Sequence, residues 1–295
     1  MFLSYRINRT VKRQNKVANY LNINYIQPYF DEKIPHWNIQ SKQNLGTEKI
    51  VWQLWYQGFD KEIPPVIRAC FDSVDKYMSD YKIIRLTKKT IPEYVDLPDF
   101  AYLKMNHGYE MAHFSDLLRV CLLTAYGGVW LDAKILLTGK MDENLLKKDF
   151  FLYQRTATPP PDAKRWIKYY HKYFYWDKNF RVNSLNSFIV AKKNYPLLEI
   201  IRDILLHFWQ NESKTPHYFW FQILFNEIVK RADCKHLNCE IINDIDVHRL
   251  ELAVKETWTA EEWERHCSLI PIHKLRIVKS YSDRSFYAYI IRQTT

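Results

Sequence analysis

The residues best suited to chemistry lie between positions 109 and 134. Asp116 and Arg119 stand three residues apart in a stretch whose apolar positions recur at helical spacing. They therefore project from one side of a helix and can pair, with Ser115 beside them. Asp132 follows Val129-Trp130-Leu131, which reads as a short buried strand. Its carboxylate is then expected at the strand's carboxyl end, where open α/β sheets bind ligands. A carboxylate in that place can hold a divalent cation through oxygen. Taken singly, these residues also fit an ordinary surface ion pair and a turn cap.

The surrounding pattern supplies elements to position them. Residues 50–55 form a short apolar run of strand type, 64–78 an amphipathic helix opened by two prolines, and 82–86 a second strand. Strand, helix, strand is the start of a parallel α/β sheet. The helix expected over 109–126 buries Met111, Phe114, Leu118, Cys121, Leu122 and Ala125, and Gly127-Gly128 stops it. Further strands are expected at 150–153, 187–191, 239–242 and 286–291, and helices over 196–210 and 216–231. Residues 22–48 carry little periodicity and read as a linking segment.

Together these motifs resemble a known family. Ser115-Asp116-Leu117-Leu118-Arg119, then Gly127-Gly128-Val129-Trp130-Leu131-Asp132, is similar to the S-D-x-x-R…G-G-x-[YW]-x-D signature of sugar-nucleotide glycosyltransferases. The likeness is to bacterial capsular polysaccharide synthesis proteins related to glycosyltransferase family 32. Ile50-Val51-Trp52-Gln53-Leu54-Trp55, Ala112-His113-Phe114 and His273-Lys274-Leu275 extend it over roughly residues 48–280. The resemblance implies a GT-A fold, an α/β sandwich with a Rossmann-like, mostly parallel sheet flanked by helices. Its catalytic domain would cover 49–295, preceded by a basic extension over 1–48. It implies transfer of a sugar from a nucleoside diphosphate sugar, first guesses UDP-galactose or UDP-glucose, with retention. The acceptor would be a saccharide on a polyprenyl diphosphate, extended for a capsule or O-antigen.

Site roles follow residue by residue from the same resemblance. Asp116 and Arg119, with Ser115, would hold donor sugar hydroxyls. Asp132 and His273 would hold Mn²⁺ or Mg²⁺, and Lys274 would bind phosphate. Trp52 and Gln53 would lie near the nucleobase, and Asn186 would face the donor sugar. Many relatives carry D-x-D where this chain has Asp132-Ala133-Lys134. Two readings of Lys134 follow: it points elsewhere, or it neutralises the diphosphate and weakens the metal requirement. Gln222 stands where relatives have an acid.

Composition narrows the alternatives. The chain has 295 residues and six glycines, too few and too scattered for a G-x-G-x-x-G or a P-loop. Five cysteines at irregular spacing suggest a reducing compartment, and no apolar run reaches membrane-span length. The net charge of +10 calls for an anionic partner. Arg6, Arg9, Lys12, Arg13 and Lys16 suggest an interfacial N-terminal helix. Residues 164–181 interleave bases with aromatics, as nucleic-acid binders and bilayer interfaces both do. The family resemblance favours an anionic membrane surface, with no nucleic acid, and a cytoplasmic protein peripheral at the inner face of the membrane. The competing classes are a non-catalytic membrane- or nucleic-acid-binding module and a degenerate transferase.

Overall fold

The computed structural model describes residues 2–46, 48–105 and 107–293. The chain begins with α1 (Phe2–Leu21), a turn of π-helix (Asn22–Ile26) and α2 (Gln27–Phe30). Then come β1 (Ile50–Leu54), α3 (Pro65–Tyr77), β2 (Lys82–Leu86), α4 (Asp99–Leu103), α5 (Met111–Tyr126), β3 (Gly128–Leu131) and β4 (Ile135–Leu137). The middle of the chain supplies α6 (Glu143–Leu146), β5 (Phe150–Gln154), α7 (Ala163–Tyr170), β6 (Ser184–Ala191), α8 (Pro196–Asn211) and α9 (Trp220–Lys230). It ends with α10 (Ile245–Ala253), α11 (Ala260–Leu269), β7 (Ile272–Lys274) and α12 (Phe286–Arg292).

The main sheet has five strands in the order β2-β1-β3-β6-β5. β1 pairs in parallel with β2 and β3, whereas β6 runs antiparallel to both β3 and β5. Four strands therefore share one direction and β6 alone opposes them, so the sheet is mostly parallel, as expected. Strand side chains alternate between faces. Trp52, Trp130, Ile189 and Leu152 enter the core under α5, α8 and α9. Val51, Val129, Leu131, Phe151 and Val190 enter a second core with α3, β4 and β7. Helices thus cover both faces, which is why β1 and β3 read as almost unbroken apolar runs.

Three expectations are corrected. Residues 286–291 form helix, not strand: Ser285 Oγ accepts from the Ala288 amide at 3.2 Å, and Phe286, Tyr287 and Ile290 pack toward α3. Residues 239–242 make no ladder; Gln154 merely donates its amide to the Ile242 carbonyl at 2.9 Å. Residues 22–48 are not a loose link, because Tyr25, Ile26, Ile34, Ile39 and Leu45 are buried in the main core.

The N-terminal helix is likewise part of the packed structure. Ile7, Val17, Ala18 and Leu21 are buried, and α1 lies against α9. Gln14 donates to the Lys172 carbonyl at 3.1 Å and accepts from the Arg181 amide at 3.0 Å. Most of the apolar stripe that an interfacial helix would insert into lipid is therefore already in use, while Leu3 and Tyr5 stay exposed. What faces outward is the basic side: Arg6, Arg9, Lys12, Arg13 and Lys16. No helix among the described residues is long and apolar enough to cross a membrane.

Candidate active site

The site forms where α5 turns into β3. Gly127 and Gly128 have φ of +74° and +103°. A Cβ at Gly127 would lie 2.6 Å from the Lys193 nitrogen, and one at Gly128 2.7 Å from the Ile50 oxygen. Only glycine permits both the conformation and the approach. This turn aims β3 along the sheet so that Asp132 emerges at its carboxyl end, its amide bonded to the Ser187 carbonyl at 2.9 Å.

Arg119 is the hub. Its Nη1 reaches Asp116 Oδ1 and the Asn186 carbonyl, each at 2.8 Å. Its Nη2 donates to Ser115 Oγ and to Asp132 Oδ1, each at 3.0 Å. The guanidinium lies over the Trp130 ring, 5.1 Å from its centroid, and Trp130 Nε1 donates to Asp132 Oδ1 at 2.8 Å. Asn186 donates to Asp116 Oδ1 at 2.7 Å and accepts from Gln222 Nε2 at 3.0 Å. Gln222 stands where an acid was anticipated, and it serves here as a donor that fixes the Asn186 amide.

Lys274 arrives from the far end of the chain. β4 and β7 pair antiparallel, with Ile135 opposite Lys274 and Leu136 opposite His273. The Lys274 ammonium donates to Ser187 Oγ and lies 3.4 Å from Asp132 Oδ2. Burial pushes the Asp132 carboxyl up, but Arg119, Lys274 and the Trp130 donor outweigh it and hold Asp132 well below the usual carboxylate range. Asp116 goes the other way. Burial, reinforced by the Asp132 charge and opposed by Arg119, pushes it up to about 7. Burial also lowers Lys274, against the pull of Asp132.

These groups line one cleft of about 580 Å³, within the range of small-molecule sites. Asp116, Arg119, Asp132, Lys134, Asn186, Ser187, Gln222 and Lys274 form its polar end. Trp55, Tyr56, Tyr169, Tyr170, Tyr173 and Tyr218 form an aromatic wall. The interleaved segment 164–181 thus divides: Trp166 and Phe174 are buried, Tyr169, Tyr170 and Tyr173 face the cleft, and Lys164, Arg165, Lys168, Lys172 and Lys178 are exposed. Arg155 braces this wall, ion-paired to Asp244 at 2.6 Å with its guanidinium 4.6 Å from the Tyr173 ring centroid. His113, from the Ala112-His113-Phe114 motif, accepts from the Glu110 amide at 3.1 Å and lies 3.3 Å from the Tyr218 carbonyl. It therefore ties the start of α5 to the tyrosine at the rim.

Three expected site residues lie elsewhere. Trp52 is fully buried and donates through Nε1 to the Gly127 carbonyl at 2.9 Å. Gln53 accepts from Arg85 Nε at 2.9 Å. Both sit within β1, between the layers, whereas the cleft opens beyond the strand's end at Leu54, Trp55, Tyr56 and Gln57. His273 points away from Lys274, as alternation on β7 requires. It is fully buried, 3.0 Å from Thr138 Oγ1, and burial lowers its pKa to about 3. The expected metal pair of Asp132 and His273 is not assembled. Two residues that the sequence did not suggest, His248 and Glu251, line the cleft and meet at 2.8 Å. Their i, i+3 spacing on α10 was the only available signal.

Among the described residues no group of three or more His, Cys, Asp or Glu converges on a point. Asp132 Oδ2 and Ser187 Oγ do converge, on the Lys274 ammonium. Mg²⁺-type ions accept one or two carboxylates and complete their shell with water and substrate phosphates. The donor set therefore fits an ion that arrives with a diphosphate, with Asp132 as its protein carboxylate.

A cleft of this kind, at the carboxyl ends of parallel strands, defines a ligand-binding α/β protein of the open-sheet class. Within that class, the chain matches the capsular polysaccharide synthesis protein family over residues 4–290 and belongs to it. It is 30% identical over 112 residues, 35% of this chain and 26% of the relative, to the O-glycosyltransferase braB of Annulohypoxylon truncatum. It is 20% identical over 198 residues, 64% of this chain and 45% of the relative, to the O-glycosyltransferase PaGT of Phomopsis amygdali. The matched stretch is less than half the length of either relative. Among solved structures, a glycosyltransferase involved in glycosylation of the major capsid of PBCV-1 is similar with a TM-score of 0.41 and 12% identity, covering 83% of this chain and 98% of that one. The PaToxG glycosyltransferase gives 0.41 and 15%, covering 89% and 95%.

Proposed function

We propose that this protein is a glycosyltransferase that moves a hexose from a UDP-sugar, glucose or galactose first, to a saccharide acceptor in capsule or O-antigen synthesis. The observation that carries the reading is the single cleft in which Asp116, Arg119, Asp132, Asn186 and Lys274 meet. In this reading Asp116 bonds sugar hydroxyls and Asn186, which donates to it, faces the same sugar. Lys274, Arg119 and Lys134 concentrate positive charge where a diphosphate would leave, the stabilisation that departure of a sugar needs. A Mn²⁺ or Mg²⁺ on Asp132 would add Lewis-acid charge at the same leaving oxygens. The tyrosine wall gives flat amphipathic surfaces against which sugar or base rings can lie.

The reading includes retention at the anomeric carbon. Asp116 is held at Oδ1 by Arg119 and Asn186, and Asp132 by Arg119, Trp130 and Lys274, and the reading assigns neither of them as a covalent nucleophile. Front-side attack, in which the departing phosphate takes the acceptor's proton, fits that arrangement. An inverted product by NMR would overturn it. The acceptor is read as lipid-linked through polyprenyl diphosphate, at the inner membrane face, and the support is the outward basic side of α1.

The test is nucleotide release from a panel of UDP- and GDP-sugars with Mn²⁺, with and without saccharide acceptors. Asp132→Asn is expected to lower turnover at least about 100-fold, as loss of one group that stabilises developing charge does. Wild-type protein that neither turns over nor is stabilised against heat by any nucleotide sugar would refute the proposal.

A further inference from the structure

The place where a divalent cation would sit is occupied by the protein's own side chain. Asp132 Oδ2 and Ser187 Oγ are hard oxygen donors, and both face the Lys274 ammonium. Asp132 Oδ1 is already committed to Arg119 and Trp130, so Oδ2 is its one oxygen open to a cation. The charge of Asp132 is met on both sides by bases, Arg119 at 3.0 Å and Lys274 at 3.4 Å. Lys134 lines the same cleft and adds a third positive charge near the carboxylate. A bare Mn²⁺ would therefore have to displace an ammonium and approach two further bases. A diphosphate meets the opposite situation, since the same bases attract it.

We propose that Lys274 is a resident cation that holds the metal position closed until a diphosphate draws its ammonium away. The lysine stem is flexible and carries three rotatable donors, so a phosphate oxygen can take the ammonium over without movement of β7. Asp132 Oδ2 and Ser187 Oγ are then released together to the incoming ion. Glu251, which lines the same cleft and acts on Lys274 electrostatically, stabilises the displaced charge. The consequence is an order of binding: nucleotide first or together with the metal, and metal alone only weakly. This rests on the proposed use of a nucleoside diphosphate with a divalent ion, and its test reads binding rather than transfer.

The experiment is Mn²⁺ titration of the full chain, followed by electron paramagnetic resonance, with and without UDP. Lys274→Met keeps the apolar stem and removes the charge, and Lys274→Gln is a second variant with a polar end. Thermal melts establish that each is folded. The nucleotide-free wild type is expected to bind Mn²⁺ weakly. Either variant should bind it at least tenfold more tightly, and adding Asp132→Asn should abolish that gain. UDP should tighten Mn²⁺ binding much more in the wild type than in the variants. Equal or weaker Mn²⁺ affinity in both variants, or a gain that survives Asp132→Asn, overturns the proposal. Wild-type nucleotide-sugar turnover is measured separately, so its failure would count against the transferase reading and not be confused with this one.

Discussion

Replacing Arg119 should cost stability in a pH-dependent way that few other substitutions would reproduce. Its guanidinium neutralises two carboxylates, Asp116 at 2.8 Å and Asp132 at 3.0 Å, and its side chain is 3% exposed. Arg119→Met leaves both acids without that partner. Removing one member of a buried pair costs about 3–5 kcal/mol. A chain of 295 residues has an unfolding entropy of roughly 0.6 kcal/mol per kelvin. The melting temperature should therefore fall by about 5–8 °C near pH 8. Asp116 sets the pH dependence. Its folded pKa is already raised to about 7, so its contribution to stability is fully present below its unfolded value and fades as pH rises through 7. Without Arg119 that pKa rises further, and the variant continues to lose stability above pH 7 where the wild type has levelled. Calorimetry at pH 6 and pH 8 should show the smaller deficit at pH 6, because a protonated Asp116 needs no cation. Arg119→Lys should fall between, since it keeps one charge but not the fork of donors. A deficit that is absent, or larger at pH 6, would refute the electrostatic account of the hub.

Other consequences follow from the same geometry. Trp52→Phe loses the bond to the Gly127 carbonyl and should cost about 1–3 kcal/mol by thermal melt while leaving nucleotide affinity by calorimetric titration unchanged, since Trp52 does not reach the cleft. Gly127→Ala forces a Cβ to 2.6 Å from the Lys193 nitrogen at positive φ and should destabilise by more than the ~1–3 kcal/mol of backbone strain alone, with the folded fraction read by circular dichroism. Donor turnover should rise with pH through about 7 as Asp116 ionises to accept sugar hydroxyls, and Asp116→Asn should flatten that limb of the profile. Reversing Arg9, Lys12 and Lys16 on the outward side of α1 should weaken flotation with anionic vesicles at least tenfold, given about 1 kcal/mol per base, and should spare turnover of a soluble acceptor.

The parts of the site visible in the sequence were those fixed by local spacing. Asp116 and Arg119 lie on one turn of α5, and two glycines followed by a short apolar run place Asp132 at a strand end without reference to the rest of the chain. The aromatics of 164–181 were harder to assign. A row of tyrosines and bases has the same pattern whether it meets lipid, nucleic acid or a cleft. What decides it is Arg155, outside that segment, whose guanidinium draws Tyr173, Phe174 and Trp176 inward. The helix at 286–291 misled for a related reason: its short unbroken apolar and aromatic run also fits a buried strand, and only the Ser285 cap and the packing beside α3 select the helix.

His273 and Lys274 show where local reading stops. They are adjacent, both are polar, and both stand at the end of the chain's last strand, so their types alone do not say which faces the site. On a strand that choice depends entirely on register, since a slip of one residue exchanges the two faces. Register here is set by β4, which begins just after Asp132 and places Ile135 opposite Lys274. The pairing brings the lysine to Asp132 and sends the histidine to Thr138 and the apolar layer behind it. A one-residue shift would have built the Asp132–His273 pair that the family resemblance implied. The register observed instead puts the Lys274 ammonium beside the carboxylate, 3.4 Å from Asp132 Oδ2, where the resemblance had implied an imidazole.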